Sequence, residues 1–283
     1  MTMLRAGERF AVIGNPIGHS RSPRIHALFA HGLGQSIDYV ARLCPLGDFA
    51  RDLERFRASG GIGANVTLPF KIDAYACATE RSPRAQAAGA ANFLHWRDSH
   101  WFCDNTDGAG LVRDIESNLG VALRGRSILL LGAGGAARGA LLPILEREPA
   151  HLCVGNRTHA TAQALIAPWR EGHAIDALAL DGHLSDGERF DIVINATSAS
   201  LHGDLPLPAT SDLFAPTALA YDMMYGREPT PFMRWASARG ATRVSDGLGM
   251  LVEQAAESYR LWRGVQPETA PVIAQLRSEL AHG

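Results

Sequence analysis

The segment Ser127–Gly139, SILLLGAGGAARG, constrains this chain more than any other. An apolar run, Ile128–Leu131, meets Gly132, Gly134, Gly135 and Ala137 and then a second apolar run, Ala140–Leu145. That order predicts a buried strand, a tight glycine turn and the first turns of a helix. The spacing Gly132-x-Gly134-x-x-Ala137 is that of a dinucleotide fingerprint with alanine in its third place. Gly132 permits the turn, Gly134 lets a pyrophosphate come close to the backbone, and Ala137 lets helix and strand pack together. The helix N-terminus adds unpaired N–H groups and the positive end of a dipole. Glycine turns of this kind also join strands to helices where no ligand binds, so the flanking sequence has to decide.

A second apolar run, His151–Gly155, reads as the next parallel strand and ends in Asn156-Arg157-Thr158. An NAD site places a carboxylate on the ribose roughly 20 residues after the glycines, and no carboxylate stands here. Arg157 instead offers a planar, permanently charged fork suited to a 2′-phosphate, which points to NADP. The alternative is a helix N-cap, Thr158, beside a solvated arginine. Asp191–Asn195 is a further strand, with Thr197 and Ser198 just beyond its end, at the sheet edge where a cofactor lies. A proline-rich connector, Leu205–Pro216, precedes a strand at Leu219–Met223 and then Tyr225. A short strand follows at Thr242–Val244. Asp246-Gly247-Leu248-Gly249 opens a helix, Met250–Trp262, whose Gln254 taken alone is an exposed helical glutamine. A closing amphipathic helix, about Ala270–Ala281, is expected to pack back on the N-terminal half and make the first domain discontinuous. Strands and helices that alternate in this way call for a doubly wound parallel sheet.

In the N-terminal half, Phe10–Ile13 is a short strand and Gly14–Ser22 a loop running into a helix. Ser22 is placed as its N-cap, Pro23 at its first position, and Gly32 at its stop. Ser20 has no capping duty, and two hydroxyls at a helix N-terminus also seat a small carboxylate, although capping alone accounts for the spacing. Ile37–Leu43 reads as a strand and Phe49–Arg57 as a helix, on which Asp52 belongs to a solvated charged face. Ala64–Leu68 reads as a strand carrying Asn65 and Thr67 on one face, with Lys71 just past Pro69. A lone lysine at that point is also ordinary surface. Phe93–Arg97, a turn at Asp98-Ser99 and a return strand through Phe102 form a hairpin. Asp104-Asn105-Thr106-Asp107-Gly108 follows. Asp104 or Thr106 suffices to cap the next helix, so the surplus of polar groups points to a site, with Asp107 a natural partner for an amine.

Composition narrows the function classes. At 283 residues the chain is long for one core and suggests two domains. A net charge of −2 gives no basic field for nucleic acid. No apolar run approaches the ~18 residues that span a bilayer, and MTMLRAGERF lacks a signal-peptide core. Cys44, Cys77, Cys103 and Cys153 form no C-x-x-C pair and fit a reducing cytoplasm. The histidines form no ligand spacing, so no metal is expected.

Taken together, GNPIGHSRSP, GANVTLPFK, AGAANF, DNTDGAG, GAGGAAR, NRT, NATSAS, YDMMYG and DGLGMLVEQAA resemble, in order and over nearly the whole chain, the motifs of the shikimate dehydrogenase family. The resemblance implies an NADP-dependent reduction of 3-dehydroshikimate to shikimate in aromatic amino-acid (chorismate) biosynthesis. It implies an α/β fold: an N-terminal substrate domain, residues 1–106 completed by the C-terminal helices 249–283, and a Rossmann-type NADP domain, residues 107–248, flanking a cleft. Lys71 and Asp107 become the catalytic pair. Ser20, Ser22 and Tyr225 become carboxylate binders, and Thr67, Asn92 and Gln254 join the catalytic pair in holding the ring hydroxyls. Gly132, Ala133, Gly134, Gly135, Ala136, Asn156, Arg157, Thr158, Thr197, Ser198, Gly247 and Met250 become cofactor contacts. Two departures stand out: Phe93, where many members have threonine and a change at the pocket edge is expected, and Thr161, where a second basic residue often stands. The rival readings are a quinate/shikimate paralogue and a catalytically silent NADP-binding sensor. Monomer and homodimer are both compatible with the sequence.

Overall fold

The computed structural model describes residues 8–180, 189–202, 204–207 and 212–282. The chain divides into two compact units. One comprises residues 1–110 with 252–275, the other 111–251 with 276–283.

The first unit is built on a six-stranded mixed sheet. Its elements are β1 Arg9–Gly14, α1 Ser22–Gly32, β2 Asp38–Leu43, α2 Phe49–Ala58, β3 Gly61–Val66, α3 Lys71–Cys77, β4 Glu80–Arg81, α4 Pro83–Ala88, β5 Phe93–Arg97 and β6 His100–Asp104. The sheet order is β2-β1-β3-β5-β6-β4. β2, β1 and β3 run parallel, and β5 returns antiparallel to β3. The β5–β6 hairpin closes with Asp98 and Ser99, both at positive φ (49° and 64°). A two-residue turn of that hand matches the twist of the strands it joins. α2 follows the expected stripe, burying Phe49, Leu53 and Phe56. Asp52, expected on the solvated face, is instead buried at 5% exposure, where Arg42 clamps it with two bonds of 2.6 Å. The predicted strand over Ala64–Leu68 begins earlier and ends at Val66, so Thr67 and Lys71 lie beyond the sheet.

The second unit holds β7 Ser127–Leu131, α6 Gly135–Leu145, β8 His151–Asn156, α7 His159–Ile166, β9 Ile175–Ala179, β10 Phe190–Asn195, β11 Phe214–Asp222, α8 Pro231–Ala238 and β12 Arg243–Asp246. All neighbouring strands are parallel, in the order β12-β11-β10-β7-β8-β9. Counted from β7, this is the strand order of a dinucleotide-binding sheet, and the direction of winding reverses between β7 and β10. β7 shows why its sequence is apolar throughout. Ile128 and Leu130 enter one core, Leu129 and Leu131 the other, as a sheet covered on both faces requires. β9 has no counterpart among the predicted strands, and β11 begins five residues earlier than expected, inside the proline-rich connector. Pro216 fits there because pairing with β10 skips from Phe214 to Leu219. Residues 208–211 of that connector lie outside the described residues.

Three elements carry the chain across the unit boundaries. α5 Asp107–Arg113 runs on into a single π-helical turn, Asp114–Asn118. α9 Leu248–Arg263 starts two residues earlier than predicted, and α10 Ala270–His282 closes the chain.

Candidate active site

Lys71 is the first residue of α3 and Asp107 the first of α5. Their side chains meet, Lys71 Nζ donating to Asp107 Oδ2 at 2.6 Å. The lysine is 30% exposed and the aspartate 14%, so the pair is open to a ligand on one side. The other Asp107 oxygen accepts from Asn92 Nδ2 at 2.7 Å. The same Asn92 nitrogen lies 2.9 Å from Thr106 Oγ1 and 3.2 Å from Gln254 Oε1. Gln254, which taken alone reads as an exposed helical residue, is 8% exposed. Four of the residues expected in the site, Lys71, Asn92, Asp107 and Gln254, are thus joined by direct bonds within the first unit.

The neighbouring polar run is divided between site and scaffold. At the start of α5 the Thr106 carbonyl accepts from the Gly110 N–H at 2.9 Å, and Asn105 Oδ1 accepts from the Asp107 N–H at 3.2 Å. Asp104 is buried and held by Arg84 at 2.5 and 3.1 Å, with the Ser82 hydroxyl also donating to it. Arg84 in turn reaches Glu257 of α9 at 3.0 Å. Burial opposes the charge of Glu257, but Arg260 and Arg84 outweigh it and hold the carboxyl below its usual range.

At the entry to α1 the capping assignment is reversed. Ser22 is the first helical residue, and the helix has no side-chain bond from its N-cap, Arg21. Ser20, given no capping duty from the sequence, accepts the Ser22 N–H on its hydroxyl at 3.3 Å. Ser22 is 7% exposed and Ser20 half-buried. Thr67 is half-buried against Gly14, where a Cβ would come within 2.5 Å of the threonine methyl. Tyr225 is half-buried in the loop after β11, in the second unit. Phe93, the departure expected at the pocket edge, is fully buried and stacks on Trp262 at 5.0 Å between centroids. It fills the core instead.

In the second unit a depression of about 690 Å³ is lined by Asn156, Arg157 and Thr158 after β8, and by Thr197 and Ser198 after β10. Gly132 holds φ +104°, and a Cβ on it would come within 3.1 Å of the Thr197 methyl. Gly132 also donates to the Gly155 carbonyl at 2.7 Å, so the turn after β7 is held between the end of β8 and the loop after β10. Gly134 and Gly135 face open space, and α6 starts with no side chain capping its N–H groups. Ala133 is buried in the core and Ala136 is exposed on the first turn. Thr158 is the N-cap residue of α7 but makes no side-chain cap bond. Arg157 is exposed. Unsatisfied helix N–H groups, open glycines and an exposed guanidinium fit a dinucleotide that carries an extra phosphate. Gly247 has a steric duty, since a Cβ there would overlap the Met223 carbonyl. Met250 is half-buried and packs on the core of the second unit.

A polar hub at the ends of β10 and β11 was missed from the sequence. Asn195 accepts from the Thr197 N–H at 3.1 Å and hydroxyl at 2.7 Å, and donates to buried Asp222 at 3.1 Å. Asp222 further accepts from Ser200 and Thr230 at 2.6 and 2.7 Å. The hub fixes the loop that carries Thr197 and Ser198. Its one visible trace in the sequence is a pair of polar residues ending two apolar strands. Among the described residues no group of histidine, cysteine and acidic side chains is arranged to hold a metal.

Comparison with known proteins gives this geometry its context. The family model of the shikimate dehydrogenase substrate binding domain matches residues 12–94, that of shikimate / quinate 5-dehydrogenase residues 114–202, and that of the shikimate 5′-dehydrogenase C-terminal domain residues 247–277. The shikimate dehydrogenase (NADP(+)) of Methylobacillus flagellatus is 55% identical over 96% of this chain and 99% of its own. The chain belongs to the shikimate dehydrogenase family. Among solved structures of similar fold is an Ael1 enzyme from Pseudomonas putida, 50% identical with TM-score 0.90 over 95% of this chain and 98% of its own. The shikimate 5-dehydrogenase of Thermus thermophilus, solved in complex with NADP(H) and shikimate, is 34% identical with TM-score 0.84 over 96% and 99%. The fingerprint glycines, Asn156-Arg157-Thr158, Lys71, Asn92 and Gln254 all fall within the stretches matched by the three family models, and Asp107 lies in the interval between two of them.

Proposed function

We propose that this chain catalyses the reversible NADPH-dependent reduction of 3-dehydroshikimate to shikimate, on the route to chorismate and the aromatic amino acids. The observation that carries the reading is the Lys71–Asp107 ion pair, half open and flanked by Asn92 and Gln254, in a chain whose second unit holds a phosphate-type glycine loop. The bound cofactor supplies a hydride to the carbonyl carbon. The chain's own groups manage the proton. Lys71 Nζ, directed by Asp107, donates to the carbonyl oxygen as charge grows on it, and takes the proton back in the oxidative direction. Asn92 holds the far oxygen of Asp107, so the carboxylate keeps its aim. Asn92, Thr67 and Gln254 offer donors and acceptors to ring hydroxyls, while Ser20, Ser22 and Tyr225 take the carboxylate. Arg157 holds the 2′-phosphate and selects NADP over NAD. Among the described residues all four cysteines are free thiols, which supports work in the reducing cytoplasm.

Steady-state oxidation of shikimate, followed at the nicotinamide absorbance with NADP and NAD in parallel, tests the reading. NADP-linked turnover exceeding that with NAD is expected. No turnover with either, from folded protein that binds NADP, contradicts it. Quinate belongs in the same assay because the matched central model describes both acids.

A further inference from the structure

Asn65, near the end of β3, is 5% exposed and meets the site directly only at the Asn92 backbone carbonyl. Its four hydrogen-bonding positions are all filled. Oδ1 accepts from the Tyr39 hydroxyl at 2.8 Å and from His26 Nε2 at 3.2 Å. Nδ2 donates to Ser258 Oγ at 2.9 Å and to the Asn92 carbonyl at 3.3 Å. Two acceptor and two donor bonds are the full capacity of a primary amide. His26 and Ser258 are fully buried, and Tyr39 stacks on the His26 ring at 4.2 Å, so these partners have little freedom to turn away.

Two branches leave this amide. One runs through Ser258 Oγ, 3.3 Å from the fully buried Thr106 hydroxyl, to Asn92 and so to Asp107. The other runs through the Tyr39 phenol, which is hydrogen-bonded with the Ser22 hydroxyl. We infer that Asn65 is a positioning residue that holds the two ends of the substrate site, Ser22 at the carboxylate end and Asn92 with Asp107 at the reacting end, in one register. This rests on the shikimate reading of the site. The chemistry requires an amide at this position. A carboxylate accepts from Tyr39 and His26 but cannot donate to Ser258 and Asn92, and an aliphatic side chain does neither.

Three variants read the two branches separately. Ser258→Ala cuts the link from Asn65 to Thr106, together with the Ser258 bond to the Gln254 carbonyl, and is expected to lower kcat about tenfold, as for a modest displacement of a catalytic group, with the KM for shikimate little changed. Tyr39→Phe cuts only the branch to Ser22 and is expected to raise the KM for shikimate about tenfold, equivalent to one lost hydrogen bond, with kcat little changed. Asn65→Asp keeps the acceptor for Tyr39 and loses both donated bonds, so it is expected to lower kcat at least as far as Ser258→Ala does, and the KM for NADP stays constant in all three. If Ser258→Ala and Tyr39→Phe leave both constants within about twofold, or alter both alike, the positioning role is overturned and Asn65 serves packing alone. A readout without substrate guards against a variant that folds poorly and against failure of the activity itself. The ¹⁵N shifts of His26 are expected to report a neutral ring protonated on Nε2 in the natural protein, and a changed tautomer or charge in Asn65→Asp. Unchanged shifts in that variant overturn the hub. Natural protein that turns over no shikimate refutes the proposed function, and the His26 signal then still decides whether the hub exists.

Discussion

Lys71 and Arg157 are both cationic side chains placed beyond the end of a strand, yet they work by different physics. Lys71 stands against a carboxylate at 2.6 Å, whereas Arg157 is exposed on the rim of the depression beside the glycine loop. A guanidinium there discriminates only by meeting the phosphate that NADP has and NAD lacks. Arg157→Ala is therefore expected to raise the KM for NADP while leaving that for NAD nearly unchanged; equal losses with both cofactors assign it to the fold or the shared ribose. His26 makes a second prediction at this scale. Burial holds its imidazole down at about 3, against an ordinary value of 6.5, with the Asn65 bond only partly offsetting this. A histidine depressed in the folded state stabilises the fold above its unfolded pKa. That contribution is lost as pH falls from about 6.5 toward 3, at up to about 1.4 kcal/mol per pH unit. Urea unfolding from pH 7 to 4 is expected to show a flatter decline for His26→Gln than for the natural protein, and parallel declines refute the assignment. Asp107 as the partner of an amine was legible in the sequence, because the surplus of polar groups around it is local, and Lys71 is the amine it meets. The roles of Ser20 and Ser22 were exchanged because a helix start shifted by one residue moves the capping duty, and Phe93 was misplaced because strand parity, which turns it inward, shows only once β5 is paired.

The elements meet where small residues permit it. Gly63 admits Trp262, whose indole lies within 2.7 Å of where a Cβ would stand, and Phe93 stacks on that same indole. Trp262 Nε1 then donates to the Leu94 carbonyl at 3.0 Å, which fixes α9 against the sheet of the first unit. Gly247 plays the same part between β12 and α9, pressed against the Met223 carbonyl. Because backbone rather than a flexible side chain blocks the space, Gly247→Ala is expected to cost about 1–3 kcal/mol in chemical denaturation. A loss well under 1 kcal/mol means the turn relaxes freely. Most of the long strands and helices were readable from apolar periodicity, and so was the hairpin, whereas the short helices α3, α4 and α8 and the edge strand β9 were not. The hubs at Asn65 and at Asn195–Asp222 were not. Their members are drawn from distant segments, and a single buried asparagine leaves no periodic signal.

Across the whole molecule the chemistry is segregated. Lys71, Asp107, Asn92, Thr67, Ser20, Ser22 and Gln254 belong to the first unit, and the glycine loop, Asn156-Arg157-Thr158, Thr197 and Ser198 to the second. The first unit combines parallel and antiparallel strands, and its two-part makeup follows from residues 252–275, most of α9 and the start of α10, joining it after the second sheet is complete. On this division a lesion in the proton-handling pair leaves cofactor binding intact. The central claim is that Lys71 handles the proton in NADP-linked shikimate chemistry, and the most direct test is shikimate oxidation by Lys71→Ala beside the natural protein, with NADP affinity measured by fluorescence titration on the same samples. The expected result is a kcat roughly a hundredfold lower, the scale for loss of a general acid–base group, with the KM for shikimate and the affinity for NADP nearly unchanged. Turnover close to that of the natural protein contradicts the account and removes Lys71 from the reaction.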